Sequence, residues 1–206
     1  MVRAQLAARG ISDAATLSAF DAVPREAFVP PQLAARAYAD EPLPIAAGQT
    51  ISQPYIVAYM VQALGVGPED RVLEVGAGSG YAAAILSRIA REVVAVERHA
   101  ELADSARERL AALGYDNVRV VCADGSLGWQ DGAPYDAILV SAGGPEVPAA
   151  LVGQLALGGR LVMPVGDEDD GQQLVRVTRA GDGAVRREAL DSVRFVPLVG
   201  KGGWQA

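Results

Sequence analysis

The residues best suited to chemistry lie at the ends of apolar runs. Gly76, Gly78 and Gly80 follow Val72-Leu73-Glu74-Val75 and precede Tyr81. Glycines at that spacing let the chain turn tightly and let a ligand lie against bare main chain. The crevice at the carboxyl end of the first strand is where open α/β sheets bind ligands. The spacing is GxGxG, distinct from the GxGxxG of dinucleotide folds. Glu97 closes Val-Val-Ala-Val-Glu, 21 residues after Gly76. A carboxylate there can accept both hydroxyls of a ribose. Its alternative reading is an ordinary solvated acid. Asp124 follows a third apolar run in Cys-Ala-Asp-Gly. Either it accepts from an adenine amino group, or it forms an Asx turn completed by Gly125. Acids and glycines at three successive strand ends favour a nucleoside-like ligand over three separate coincidences. A second polar segment, Gly48-Gln49-Thr50-Ile51-Ser52-Gln53-Pro54, leads into an apolar stripe. By chemistry alone, Ser52 or Gln53 is a helix cap there and Pro54 occupies the first turn.

These residues need a scaffold. Ile56, Val57, Met60, Val61 and Leu64 form a helical stripe from Pro54, ended by Gly65 and Gly67. Strands are predicted at 72–75, 93–96, 118–121, 137–140 and 161–165. Helices are predicted at 81–90, 101–113 and 148–155, with Gly158-Gly159 turning the chain into the fifth strand. Short apolar strands between helices indicate βαβ units and a parallel sheet. After Asp170 the helical patterns stop. Leu174–Thr178 alternates, Gly181-Asp182-Gly183 reads as a hairpin turn, and 184–196 forms a long return arm. Before Pro54 the chain reads as helical up to about residue 45, with Ser12 as an N-cap. Pro24 stops the first helix, Pro30-Pro31 precede a short helical piece near Leu33–Tyr38, and Pro42 to Pro44 mark an extended connector.

Composition narrows the classes. A chain of 206 residues, half of them apolar, suits one packed domain with a sizeable core. We divide it into an N-terminal helical and substrate-side segment (1–53), a cofactor-binding core (54–166) and a C-terminal strand pair with a substrate-side arm (167–206). The net charge of −7 disfavours nucleic-acid binding. No apolar run reaches the roughly 18 residues of a membrane span, and the N-terminus lacks a secretory pattern. A cytoplasmic monomer is expected. The run Asp167-Glu168-Asp169-Asp170 reads as a solvated loop, and no metal site is expected. Cys122, the one cysteine, reads as a buried strand thiol. His99, the one histidine, reads as a solvated helix-start residue. Asp136 opens the fourth strand, and Ser141-Ala142-Gly143-Gly144-Pro145 leaves room above it.

The GxGxG run resembles the first motif of class I (Rossmann-like) methyltransferases, whose α/β fold closes a parallel sheet with an antiparallel strand pair. Further segments narrow the resemblance. They are Val23-Pro24-Arg25-Glu26 with Phe28-Val29, Leu43-Pro44-Ile45 with Gly48 to Pro54, Pro164-Val165-Gly166, and Val193-Arg194-Phe195-Val196-Pro197-Leu198-Val199. Together, in this order, they resemble the protein-L-isoaspartate (D-aspartate) O-methyltransferases over nearly the whole chain. Ser141-Ala142-Gly143 departs from the commoner Thr-Ala-Ala or Thr-Ala-Pro, which leaves substrate preference open. Ala123 replaces a frequent glycine, and His99 is unusual after the ribose acid.

The resemblance implies methyl transfer from S-adenosyl-L-methionine to the free carboxylate of L-isoaspartyl residues in damaged proteins and peptides. The product ester then collapses to a succinimide without an enzyme, which begins repair. It implies Ser52 as the catalytic residue, orienting the substrate rather than attacking it, with Thr50 and Ile51 beside it. It implies Glu74, Gly76, Gly78, Gly80, Glu97, Asp124 and Gly125 for the cofactor, and residues 193–199 as a wall for the peptide. A carboxylate ionised at neutral pH needs no strong general base. Alignment then carries the catalysis, and can contribute roughly 7–11 kcal/mol. The alternative is a related class I methyltransferase acting on a dedicated biosynthetic peptide or a small molecule. A non-catalytic binding module and a nicotinamide-dependent oxidoreductase are remoter readings.

Overall fold

A computed structural model describes residues 1–167 and 171–205. Residues 168–170, most of the acidic run, lie outside the described residues, so that expectation has no structural counterpart here.

The apolar runs became the centre of a seven-stranded sheet. Its first three strands in sequence are β3 (Arg71–Val75), β4 (Glu92–Glu97) and β5 (Val118–Cys122), preceded by the two-residue strands β1 (Leu43–Pro44) and β2 (Thr50–Ile51). Next come β6 (Tyr135–Val140), β7 (Leu155–Asp167), β8 (Gly171–Arg179) and β9 (Val185–Val193). The order across the sheet is β5-β4-β3-β6-β7-β8-β9. Pairing is parallel from β5 to β7 and antiparallel from β7 to β9. Strand order therefore reverses between β3 and β6, which opens a crevice at their carboxyl ends.

Alternation along each strand divides the core into two layers. Val72, Val93, Ala95, Ala137 and Leu139 face one layer, packed against α1 (Ala14–Ala22), α2 (Pro54–Leu64), α3 (Tyr81–Ser87) and α4 (Ala100–Ala112). Leu73, Val75, Val94, Ile138 and Val140 face the other, covered by α5 (Ala149–Gly153) and the chain near Val196 and Leu198. Burial on both faces is why these strands read as continuous apolar runs.

Several boundaries depart from the sequence reading. Asp13, not Ser12, caps α1: its Oδ2 accepts from Thr16 N at 2.7 Å. Ser12 N and Asp13 N instead donate to Gln62 Oε1 on α2, at 2.7 and 2.9 Å. Beyond α1, the first 45 residues form a five-residue π-helix (Val2–Leu6) and short 3-10 turns rather than helices of useful length. The connector around Pro42 to Pro44 pairs with Thr50–Ile51 as an antiparallel ribbon. Gly158-Gly159 does not separate a helix from a strand. The glycines are absorbed into β7, whose register with β6 shifts between Tyr135 and Ala137. The return arm stops as a strand at Val193, and the chain peels away to form a bridge between Pro197 and Gly143. Cys122 is exposed, contrary to expectation. It ends the outermost parallel strand, on the same face as the buried Val120 but at the strand's exposed last position. Among the described residues no helix is long and apolar enough to cross a membrane.

Candidate functional site

One cleft opens at the carboxyl ends of β3, β4 and β6. Its space, counted out into the open solvent at the mouth, is about 920 Å³. The chain from Glu74 to Ser79 forms its floor, Glu97 to His99 one side, and Ser141-Ala142 the other. Gln49 to Ser52 and Val196 to Val199 line its outer part, with Tyr81 and Gly125 completing the wall.

The glycine loop is stitched to the end of β4. Gly76 N and Ala77 N both donate to Val96 O, at 2.8 and 3.2 Å. Gly76, Gly78 and Gly80 adopt φ of +87°, +55° and +87°, in the left-handed region that side chains resist. Glu97, only 5% exposed, ties the loop to the second strand end. Its Oε2 accepts from Gly78 N and its Oε1 from His99 N, both at 2.9 Å. From α4, Arg109 donates to Ser79 O at 2.9 Å and braces the loop from behind.

Glu74 is fully buried on the cleft floor, and its Oε2 has no hydrogen-bond partner among the described residues. Burial first, and the charge of Glu97 second, hold its carboxyl well above the ordinary range, against one N–H from Ala83. Two carboxylates facing one cleft are mutually unfavourable unless a ligand brings hydroxyls, N–H groups or positive charge. Tyr81 presents a buried wall, and burial raises its phenol's pKa.

Two of the expected cofactor residues, Gly80 and Asp124, are not among the residues that line the cleft. Gly80 is not on the cleft wall. A side chain there would come within 3.1 Å of Leu110 on α4, so its smallness serves helix packing. Asp124 is also off the wall, although Gly125 is on it. Asp124 Oδ1 accepts from Ser126 N at 3.0 Å and Ser126 Oγ at 2.6 Å, while Oδ2 accepts from Lys201 N at 2.9 Å. Burial alone would raise its pKa, but these donors prevail and hold it below the ordinary value. The Asx-turn reading thus describes Asp124 as it stands. Gly76, Gly78, Glu74, Glu97, Gly125, Thr50, Ile51 and Ser52 all reach the cleft.

Helix α2 is not capped as expected. Gln53 holds the N-cap position without a side-chain cap bond. Asp40, 15 residues upstream, takes Tyr55 N at 3.1 Å instead, and its Oδ2 accepts from Gln53 Nε2 at 2.8 Å. Ser52 is thereby released from capping, and its hydroxyl has no hydrogen bond among the described residues.

The comparisons decide the family. Residues 1–203 match the family model described as protein-L-isoaspartate(D-aspartate) O-methyltransferase. The chain belongs to this family. A protein-L-isoaspartate O-methyltransferase from Rhodopseudomonas palustris is 58% identical over 205 residues, covering 100% of this chain and 94% of that one. A solved protein-L-isoaspartate O-methyltransferase superposes with a TM-score of 0.87 at 31% identity, over 98% of this chain and 67% of the other. A putative protein-L-isoaspartate O-methyltransferase from Plasmodium falciparum, solved with S-adenosyl-L-homocysteine, gives 0.82 at 26% identity over 95% of both chains. The methyltransferase fold expected from the sequence is therefore present, antiparallel closing pair included.

In the light of the isoaspartate methyltransferase family, the residues missed by sequence reasoning stand out. Arg25, Asp40 and Gln172 lie outside the cleft and hold its lining from behind. Arg25 was visible only as part of a motif, and no local pattern marks the other two. Gln172 is 3% exposed on β8. Its Nε2 donates to Phe195 O at 3.1 Å and its Oε1 accepts from Phe195 N at 2.7 Å, as a neighbouring strand would. Gly143 N donates to Val196 O and Leu198 N to Gly143 O, at 2.8 and 2.7 Å. These bonds carry residues 196–199 back to the cleft.

Proposed function

We infer that the protein transfers a methyl group from S-adenosyl-L-methionine to the free carboxylate of isoaspartyl residues in damaged proteins and peptides. One observation carries the assignment within the family. The Thr50-Ile51-Ser52 segment and the Val196–Val199 arm share one cleft with the glycine loop, Glu74 and Glu97. S-adenosyl-L-methionine supplies an activated methyl on a cationic sulfur. The unpartnered oxygen of Glu74 and the carboxylate of Glu97 fit a ligand carrying positive charge and ribose hydroxyls.

The chain's own residues bind, orient and exclude water. Glu97 receives the ribose side, and Glu74 meets positive charge on the methionine side. Gly76 and Gly78 admit the ligand against bare main chain, and Gly125 lines the adenine side. The Ser52 hydroxyl donates to the peptide carboxylate, with Thr50 and Ile51 holding the neighbouring backbone. Val196 to Val199 cover the mouth. The acceptor is already ionised at neutral pH, so none of these groups has to remove a proton. Residues 1–53 and 167–206 form the peptide side of a single catalytic domain, and 54–166 the cofactor side. We place the enzyme in the cytoplasm as a monomer, without nucleic-acid or membrane partners.

The test uses labelled S-adenosyl-L-methionine and two peptides that differ only in isoaspartate or aspartate at one position. Base-labile label on the isoaspartyl peptide alone is the expected result. Cofactor binding without label on either peptide would favour a dedicated biosynthetic relative or a non-catalytic one.

A further inference from the structure

Arg25 is completely buried, at 0% exposure. No carboxylate forms an ion pair with it among the described residues. A guanidinium buried without a counter-ion is costly, and burial lowers its pKa. Its bonds indicate what it does. Arg25 Nε donates to Ala37 O at 2.8 Å, and Nη2 donates to Ser52 O at 2.9 Å. Its Cζ lies 4.8 Å above the centre of the Tyr81 ring, itself part of the cleft wall. A planar fork thus joins three pieces of chain, one of them the Ser52 backbone.

Asp40 secures the next three residues. Its Oδ2 and main-chain oxygen accept from Gln53 Nε2, at 2.8 and 3.1 Å, and its Oδ1 accepts from Tyr55 N at 3.1 Å. Arg9 pairs with the same carboxylate at 2.5 Å. The direction of the Ser52 hydroxyl depends on the backbone between these two anchors. On the other side, the pairing of Ile51 with Leu43 holds the backbone that precedes Ser52, and the hydroxyl itself makes no bond among the described residues.

We propose that Arg25 and Asp40 are positioning residues that aim the Ser52 hydroxyl at the peptide carboxylate. This rests on the functional reading above. Neither residue lines the cleft, so both act through the backbone of residues 52–55. Asp40 bonds to no residue of the cleft wall, whereas Arg25 also lies over Tyr81, so stability and cofactor affinity are read beside the peptide KM.

The experiment compares the full-length wild type with Arg25→Lys, Asp40→Ala, and each change in a Ser52→Ala background. Steady-state kinetics on the isoaspartyl peptide give KM and kcat, and calorimetry gives the affinity for S-adenosyl-L-homocysteine. Lysine keeps the charge but cannot span Ala37 O and Ser52 O together. Arg25→Lys is expected to raise peptide KM about tenfold, and Asp40→Ala about fivefold. Homocysteine-analogue affinity stays within about twofold. In the Ser52→Ala background each change has little further effect, because the group being aimed is gone. Unchanged KM in folded variants overturns the proposal. So does a KM effect that persists undiminished without the serine hydroxyl, or an equal loss of cofactor-product affinity. If Arg25→Lys does not fold, Asp40→Ala decides by the same criteria, since that side chain is partly exposed and outside the core. A wild type inactive on the isoaspartyl peptide overturns the functional reading itself, and the proposal with it.

Discussion

Glu74 holds a buried carboxyl with one oxygen unpartnered, beside the Glu97 carboxylate. Its folded pKa lies well above the ordinary 4.5. A raised folded pKa stabilises the protein below the unfolded value, and that stability is lost as pH rises through the folded one. The unliganded protein should therefore weaken as pH rises above about 4.5, where the unfolded chain ionises Glu74 and the folded one still holds its proton. Glu74→Gln removes this dependence, so its unfolding midpoint at neutral pH rises relative to the wild type. The same change removes the charge that meets the cofactor, and affinity for S-adenosyl-L-homocysteine should fall about tenfold or more. Calorimetry in buffers of different ionisation enthalpy should also detect proton release when the ligand binds the wild type. At the opposite wall, Ser52→Ala should raise peptide KM about tenfold while cofactor affinity stays unchanged. Unchanged KM would remove the role given to that hydroxyl.

At the scale of elements, Gln172 stands in for a missing strand. With its amide gone, the Phe195 N–H and C=O remain buried and unpaired. Gln172→Leu should cost about 1–3 kcal/mol in chemical denaturation, and should weaken peptide binding more than cofactor binding. The parallel strands were legible in the sequence for a plain reason: both faces are covered, so each reads as an unbroken apolar run. The glycine loop was legible because its backbone needs positive φ at residues set by the strand end. The cap of α2 was not, because Asp40 reaches it through tertiary contact, while Gln53 turns its amide to Asp40 and the Ser52 hydroxyl makes no cap bond. Cys122 looked buried for a related reason. The run Val118-Arg119-Val120-Val121-Cys122 resembles its neighbours, but its place at the edge of the parallel set is a property of topology. Asp124 shows the remaining ambiguity of a single acid. Cap and ligand readings share the same residues, and only the Ser126 and Lys201 bonds say which is met without a ligand.

Across the whole molecule, the cleft draws on five stretches of chain, centred near residues 50, 77, 97, 141 and 197, with Val57 and Gly125 added singly. A ligand that touches all of them binds the folded state and not the unfolded one. At a hundred times its dissociation constant, S-adenosyl-L-homocysteine should add about 2.7 kcal/mol. For a chain of this length that corresponds to roughly 5–11 °C in thermal midpoint. Differential scanning calorimetry over a ligand series checks it, and a concentration-independent midpoint would contradict the cleft as a cofactor site.

The strand order also has a bearing on synthesis. β3 lies between β4 and β6, yet Tyr135 follows Val75 by 60 residues. At roughly 5–20 residues per second, the β6 side of β3 waits about 3–12 seconds for its partner on the ribosome. Through that interval a strand apolar on both faces carries an open hydrogen-bonding edge, the feature most prone to pairing with another chain. The same reversal of strand order that opens the cleft in the finished protein thus makes the nascent one vulnerable to aggregation.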